Sequence, residues 1–176
     1  MPRLKVFIDL CSGLGGASEA FMNSPDWYVI RIENNPLLED IPGSKLLDIL
    51  EWPTWIDSLE KEIERMTLEV VWASPPCTDF SRAYLAPAPR AERAGDSFEP
   101  DMSIMLACLA IIDRLKPRFY VIENVQGALG SFTPHLGPLR QRVGPFYLWG
   151  RFPYIPIPPY WSHCKYENDA SSQDPL

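Results

Sequence analysis

The sequence predicts an α/β domain of the doubly wound type on a mostly parallel sheet, and three stretches predict it. Val6-Phe7-Ile8-Asp9-Leu10 runs into Cys11-Ser12-Gly13-Leu14-Gly15-Gly16, Val70-Val71-Trp72-Ala73 runs into Ser74-Pro75-Pro76-Cys77, and Phe119-Tyr120-Val121-Ile122 runs into Glu123-Asn124-Val125. Each is an apolar run of the kind found in buried parallel strands, followed at once by a polar or glycine-rich segment. Open α/β sheets bind ligands at the carboxyl ends of their strands, so the three segments are expected to share one cleft.

In chain order, Leu4 to Leu10 reads as the first strand and Ala17 to Met22 as a short helix opened by the glycines. Trp27 to Ile32 is a second strand ending at Glu33, and Ser44 to Ile49 a short third around Asp48. From Trp55 to Met66, Ile56, Leu59, Ile63 and Met66 recur every three or four residues, the stripe of an amphipathic helix with charges on its other face. Leu68 to Ala73 is the fourth strand. Residues 74–101 carry Pro75, Pro76, Pro87, Pro89, Gly95 and Pro100 and read as one long loop, the best-placed lid over a substrate. Asp101 is expected to cap a helix from Met102 to Leu115, stopped by Lys116-Pro117. Arg118 to Ile122 is the fifth strand and Phe146 to Trp149 a further one. The proline-rich Phe152 to Tyr160 fits only an extended or edge segment. No internal repeat is visible.

With 176 residues, of which 46% are hydrophobic, the chain can bury one ordinary core. A single domain is expected over residues 1–164, with a disordered tail over 165–176. Cys11, Cys77, Cys108 and Cys164 lie far apart without metal-ligand spacing, and no secretory leader is expected before the first strand. Reduced thiols in a cytoplasmic-type compartment are the expectation. The apolar runs are too short to cross a bilayer, and His135 and His163 have no partner at metal spacing.

The net charge of −7 argues at first against a polyanionic partner, yet it is unevenly spread. Between Glu33 and Glu69 stand 10 acidic and 3 basic residues, so the rest of the chain balances. Arg82, Arg90 and Arg93 follow Cys77, and Arg140, Arg142 and Arg151 occupy a stretch without acids. That is a candidate polyanion-facing edge, or else a set of solubilising side chains.

Gly13, Gly15 and Gly16 after Asp9 let the backbone turn tightly and approach a ligand at a helix amino terminus. Glu33, about twenty residues on at the end of the second strand, is placed to accept from both hydroxyls of a ribose. Asp48 can take a hydrogen bond from an adenine amino group, or simply act as a turn acid. Cys77 follows two prolines that stiffen its approach and opens a polar loop rather than lying within an apolar run. Its thiol is expected to face the cleft and to converge with Glu123 on one substrate, as a nucleophile beside an acid. Cys11, Cys108 and Cys164 are assigned structural roles.

These residues resemble the DNA (cytosine-5)-methyltransferase family, in a short form lacking a recognisable target-recognition domain. Asp9-Leu10-Cys11-Ser12-Gly13-Leu14-Gly15-Gly16 resembles that family's S-adenosylmethionine loop, Ser74-Pro75-Pro76-Cys77 its Pro-Cys motif, and Glu123-Asn124-Val125 its Glu-Asn-Val motif. The order and separations also fit, over residues 5 to about 127.

The resemblance implies a Rossmann-like, S-adenosylmethionine-dependent methyltransferase fold with a last antiparallel strand. It implies that Cys77 adds to carbon 6 of a cytosine flipped out of DNA, that Glu123 binds the ring nitrogen and exocyclic amine, and that Asn124 braces the catalytic loop. Arg142, in Arg140-Gln141-Arg142, is carried over from an arginine motif. The cofactor set extends from the glycine loop to Glu33, Asn34, Asp48, Ile49, Ser74 and Pro76. A homodimer, a partner subunit or a minimal viral-type enzyme of loose specificity could each account for target recognition. Two alternatives stay open: an amino-methylating enzyme, whose Ser-Pro-Pro signature carries an aromatic residue where Cys77 stands, and a non-catalytic subunit that binds cofactor or DNA.

Overall fold

The computed structural model describes residues 3–156. Seven strands form one sheet: β1 (Lys5–Leu10), β2 (Trp27–Glu33), β3 (Ser44–Leu46), β4 (Thr67–Ala73), β5 (Phe119–Asn124), β6 (Gln141–Val143) and β7 (Phe146–Arg151). Their order is β3-β2-β1-β4-β5-β7-β6, the doubly wound arrangement expected. The first five pair in parallel, while β7 inserts antiparallel between β5 and β6. The chain order reverses beside β1, between β2 and β4, so ligands are directed to the carboxyl ends of those strands.

The helices are α1 (Glu19–Met22), α2 (Trp52–Ile63), α3 (Pro87–Ala94), α4 (Ser103–Leu115) and α5 (Leu129–Leu136). Successive strand residues face opposite sides, and the two sides are covered unequally. On one, Val6, Ile8, Leu10, Ile32, Val71 and Ile122 pack with Ile56, Leu59 and Ile63 of α2, Met105, Cys108 and Ile111 of α4, and Phe132 of α5. Each such side chain contributes about 1.5–3 kcal/mol on burial, so this face dominates the stability. On the other, Phe21 of α1 stacks between Phe7 and Trp27 at 4.8 and 4.6 Å, and Val121, Leu148 and Phe152 form a small cluster with Trp72, Val143 and Ile155. A broad cavity opens on this thinly covered side.

Several boundaries differ from expectation for local reasons. β3 stops at Leu46 because Asp48 is not in a strand: its Oδ1 accepts from the Leu50 amide and caps a 3-10 turn over Ile49–Glu51. α2 starts at Trp52, with Pro53 in the first turn where its missing N–H is harmless, and ends before Met66. β5 runs on to Asn124, so Glu123 and Asn124 belong to the strand itself. α4 begins at Ser103, whose amide donates to Asp101 Oδ1 at 2.8 Å, so the expected carboxylate cap acts one residue ahead of the formal boundary.

Residues 74–101 are not a structureless loop. Pro87 and Pro89 open α3, and Gly95 closes it at φ +77°. α5 was hidden by Gly130 and an internal Pro134, and β6 by its three-residue length. Phe152 to Pro156 has no regular structure, while the remainder of the expected extended segment, His163, Cys164 and the tail lie outside the described residues. Among the described residues no helix is long and apolar enough to cross a membrane.

Candidate active site

The turn after β1 is tied to β2 along its length. Cys11, Gly13 and Gly15 all take positive φ, at +56°, +52° and +79°. The Ser12 amide donates to the Ile32 carbonyl at 3.1 Å and the Gly13 amide to Glu33 Oε2 at 2.8 Å. Glu33 Oε1 accepts from the Asn34 and Asn35 amides at 3.0 and 2.9 Å. Glu33 is therefore fixed by three backbone donors, and an ionised carboxylate retains capacity for about one more.

Beside it lies a cavity of about 140 Å³ lined by Cys11, Gly13, Ile32, Glu33, Asn34, Asp48, Ile49, Ser74, Pro76 and Ile104. The isoleucines make it apolar, and Glu33 and Asp48 are its two carboxylates. A flat heterocycle with attached hydroxyls matches that combination. Eight residues expected from sequence to hold a cofactor meet here.

A second cavity, of about 440 Å³, is lined by Asp9, Ser12, Gly16, Ala17, Trp72, Ser74, Glu123, Val143, Phe146, Leu148 and Ile155. Ser74 borders both, so the two adjoin. Trp72 Nε1 donates to Ser74 Oγ at 2.9 Å, which leaves the serine proton for Glu123. Burial pushes the Glu123 carboxyl above its usual range, and the Ser74 hydroxyl offsets part of that rise. The site therefore favours a neutral, donating carboxyl more than water would.

Asp9 is 1% exposed. Its Oδ2 accepts from Ser18 Oγ at 2.7 Å, whereas its Oδ1 and the nearby Ser12 Oγ are buried without a protein partner. Burial raises the Asp9 pKa to about 6, against the Ser18 bond and the Arg31 charge, which lower it. Two buried polar atoms bordering a cavity without partners fit the polar end of a ligand. The residues present thus suit a nucleoside in the first cavity and a polar extension in the second.

Cys77 is held between two anchors. Upstream, the Pro75 carbonyl accepts from Asn124 Nδ2 at 2.9 Å, while Asn124 Oδ1 accepts from the Val125 amide. Downstream, the Phe80 amide donates to the Cys77 carbonyl at 3.0 Å, and the Phe80 ring packs edge-on against Phe132 at 4.9 Å. A β-carbon on Gly127 would collide with the Phe80 carbonyl, so the segment after β5 lies directly against this loop. Between the anchors Cys77 is an exposed free thiol.

Not every expected residue joins the group. Cys77 lines neither cavity, so the structure places thiol and Glu123 on neighbouring strand ends rather than in one enclosed pocket. Leu10 is buried in the core, Leu14 is 74% exposed, and Gly15 is buried against the Arg31 guanidinium. Arg142 is exposed on β6, donating to the Gly144 carbonyl and lying over the Tyr147 ring. The expected arginine edge is broken up likewise: Arg93 stacks on Tyr84, and Arg151 donates to the Pro117 and Arg118 carbonyls.

Sequence reading missed Arg31, Ser18 and Trp72, which buttress the turn and Ser74. Arg31 had left a signal, a lone charge inside the apolar run Tyr28-Val29-Ile30-Arg31-Ile32.

The tRNA (cytosine(38)-C(5))-methyltransferase of Bos taurus is 29% identical over 139 residues, 73% of this chain and 32% of that protein. The probable DNA (cytosine-5)-methyltransferase of Frog virus 3 is 26% identical over 66% of this chain and 52% of its own length. The Type II methyltransferase M1.HphI of Haemophilus parahaemolyticus is 26% identical over 78% and 36%. The chain thus spans about a third to a half of the length of these curated relatives. The pattern defining the C-5 cytosine-specific DNA methylases matches residues 6–135, from β1 through the Glu-Asn-Val strand into α5, and the chain belongs to that family.

Proposed function

We propose that this protein transfers a methyl group from S-adenosylmethionine to carbon 5 of a cytosine in a polynucleotide, by way of a covalent bond to Cys77. The observation that carries the reading is the meeting at Ser74 of two cavities, one edged by Glu33 and Asp48 and the other by Asp9 and Glu123, three residues before an anchored, exposed thiol. Glu33 and Asp48 would hold ribose and base of the cofactor, and Asp9 and Ser12 its polar end. Bound there, S-adenosylmethionine supplies an electrophilic methyl on a sulfonium.

The chain's own groups prepare the pyrimidine. Carbon 5 of cytosine is a weak nucleophile. Cys77, its proton released to solvent, forms a bond from Sγ to carbon 6 and drives the ring's double-bond electrons onto carbon 5. Glu123, whose carboxyl burial pushes above its usual range, donates in its protonated form to the ring nitrogen and offsets the charge that develops there. Asn124 holds the loop that carries the thiol. Once carbon 5 is methylated, loss of its proton restores the double bond and expels the thiolate.

The base must leave its stack to reach Cys77, at a cost of a few kcal/mol that is smallest for single-stranded or mismatched sites. DNA is the first substrate reading, from the family to which the chain belongs. RNA is the second, favoured by the tRNA methyltransferases among the relatives. Mass spectrometry of nucleosides from DNA and from tRNA incubated with the protein and labelled S-adenosylmethionine tests both. Label in 5-methylcytidine or its deoxy form supports the reading, and label in an amino-methylated base overturns it.

A further inference from the structure

Arg31 sits in the middle of β2, 1% exposed. Its Nε donates to Ser18 Oγ at 2.8 Å, Nη1 to the Pro42 carbonyl at 3.0 Å, and Nη2 to the Gly15 carbonyl at 3.0 Å and Glu19 Oε2 at 2.8 Å. A buried guanidinium is a costly way to fill space, since well-packed apolar residues are often as stable or better. Two of its bonds, however, reach into the ligand-lining turn.

The first sets a donor. A trans peptide is planar with C=O and N–H opposed, so a Gly15 carbonyl directed at Arg31 turns the Gly16 amide away from it. Gly16 borders the larger cavity. Contact is close enough that any β-carbon on residue 15 would overlap the guanidinium, which requires glycine there.

The second bond sets an acceptor. Ser18 Oγ, accepting from Nε, sends its own proton to the nearer of its two acceptors, Asp9 Oδ2 at 2.7 Å rather than the Gly15 carbonyl at 3.3 Å. That fixes the Asp9 carboxylate with Oδ1 unpartnered at the cavity.

We propose that Arg31 is a positioning residue for the amino-acid end of the cofactor, presenting the Gly16 amide to its carboxylate and Asp9 Oδ1 to its ammonium. The inference rests on the cofactor reading above. One donor and one carboxylate oxygen bordering the same cavity match a zwitterion. With its pKa near 6, Asp9 is ionised at neutral pH and complements the cation.

Calorimetric titration with S-adenosylhomocysteine and with 5′-methylthioadenosine, which has the same nucleoside thioether but no amino-acid end, tests this. Arg31→Met is expected to weaken S-adenosylhomocysteine about tenfold or more and methylthioadenosine less than about twofold. Arg31→Lys should recover part of the loss, because it keeps the charge without the planar fork. Ser18→Ala, which deletes one hydroxyl, should shift the two ligands in the same unequal way even if Arg31→Met fails to fold. Equal losses for both ligands, or unchanged S-adenosylhomocysteine binding in a folded variant, overturn the assignment. Failure of the unaltered protein to bind either ligand instead overturns the cofactor reading itself.

Discussion

Asn124 on β5 donates to the carbonyl of Pro75, 49 residues earlier, and this bond ties the loop bearing Cys77 to the strand bearing Glu123. Both groups of the proposed chemistry therefore share one rigid reference. Pro75 and Pro76 lack amide donors of their own, so the loop relies on a donor from outside to satisfy its buried carbonyl.

Asn124→Ala removes that donor and leaves the Pro75 carbonyl without a partner. A loss of about 1–3 kcal/mol in stability is expected. Transfer should fall further than the stability loss explains, because Cys77 gains freedom while the cavities keep their lining. Thermal unfolding and single-turnover rates measured together check this, and an unchanged melting temperature would show that the bond does not restrain the loop.

Cys77→Ala should abolish methyl transfer yet leave S-adenosylhomocysteine affinity within about twofold, since the thiol lines neither cavity. The intact protein should also form a stable adduct with an oligonucleotide containing 5-fluorocytosine, because fluorine cannot leave carbon 5 as a proton does. Mass spectrometry of the intact protein reads the adduct. Its absence from a preparation that methylates would remove Cys77 from the nucleophile's role.

The five parallel strands and the placing of Glu33, Asp48 and Ser74 at one pocket were legible in the sequence, because buried strands followed by glycine or proline turns leave local, high-contrast signals. α5 was not, since one deeply buried side chain, Phe132, anchors a helix whose glycine and proline break the apolar period. α3 was hidden for the opposite reason: its prolines read as breakers, although in a first turn proline is well accommodated. Arg31 stood out as a lone charge in an apolar run, but its role was beyond reach, because it depends on which backbone carbonyls the turn aims at it. The separation of Cys77 from the Glu123 cavity was equally unreadable, since it depends on side-chain direction across two strands.

Glu123→Gln keeps the shape of the side chain but can no longer shuttle a proton to the pyrimidine. A fall in transfer of about a hundredfold or more is expected, with cofactor affinity retained. Burial raises the Glu123 pKa, so its protonated form persists to higher pH than in an ordinary glutamate, and transfer by the unaltered protein should decline as pH rises through that raised value. Glu123→Gln should lack the alkaline limb that Glu123 sets, and an unaltered pH profile in this variant would dissociate Glu123 from the chemistry.

Asp9 offers a test in which stability and ligand binding move in opposite directions. Its pKa rises from 3.8 to about 6 on folding, chiefly through burial, so the folded state holds the proton more tightly than the unfolded chain. Stability linked to Asp9 is therefore full below about pH 4 and is lost as pH climbs through 6, by on the order of 2–3 kcal/mol at neutrality. Asp9→Asn removes that charge while its amide oxygen can still accept from Ser18. The variant should unfold at a higher temperature than the original protein at pH 7.5, with the gap closing below about pH 4. The same change replaces the free carboxylate oxygen at the cavity with a donor, so S-adenosylhomocysteine should bind more weakly although the fold is firmer. Calorimetry at the two pH values, with and without ligand, reads both effects. A variant less stable at neutral pH would show that the Arg31 charge, deprived of its Asp9 counterpart, outweighs the relief of burial, and would place the strain of this site on the guanidinium rather than the carboxylate.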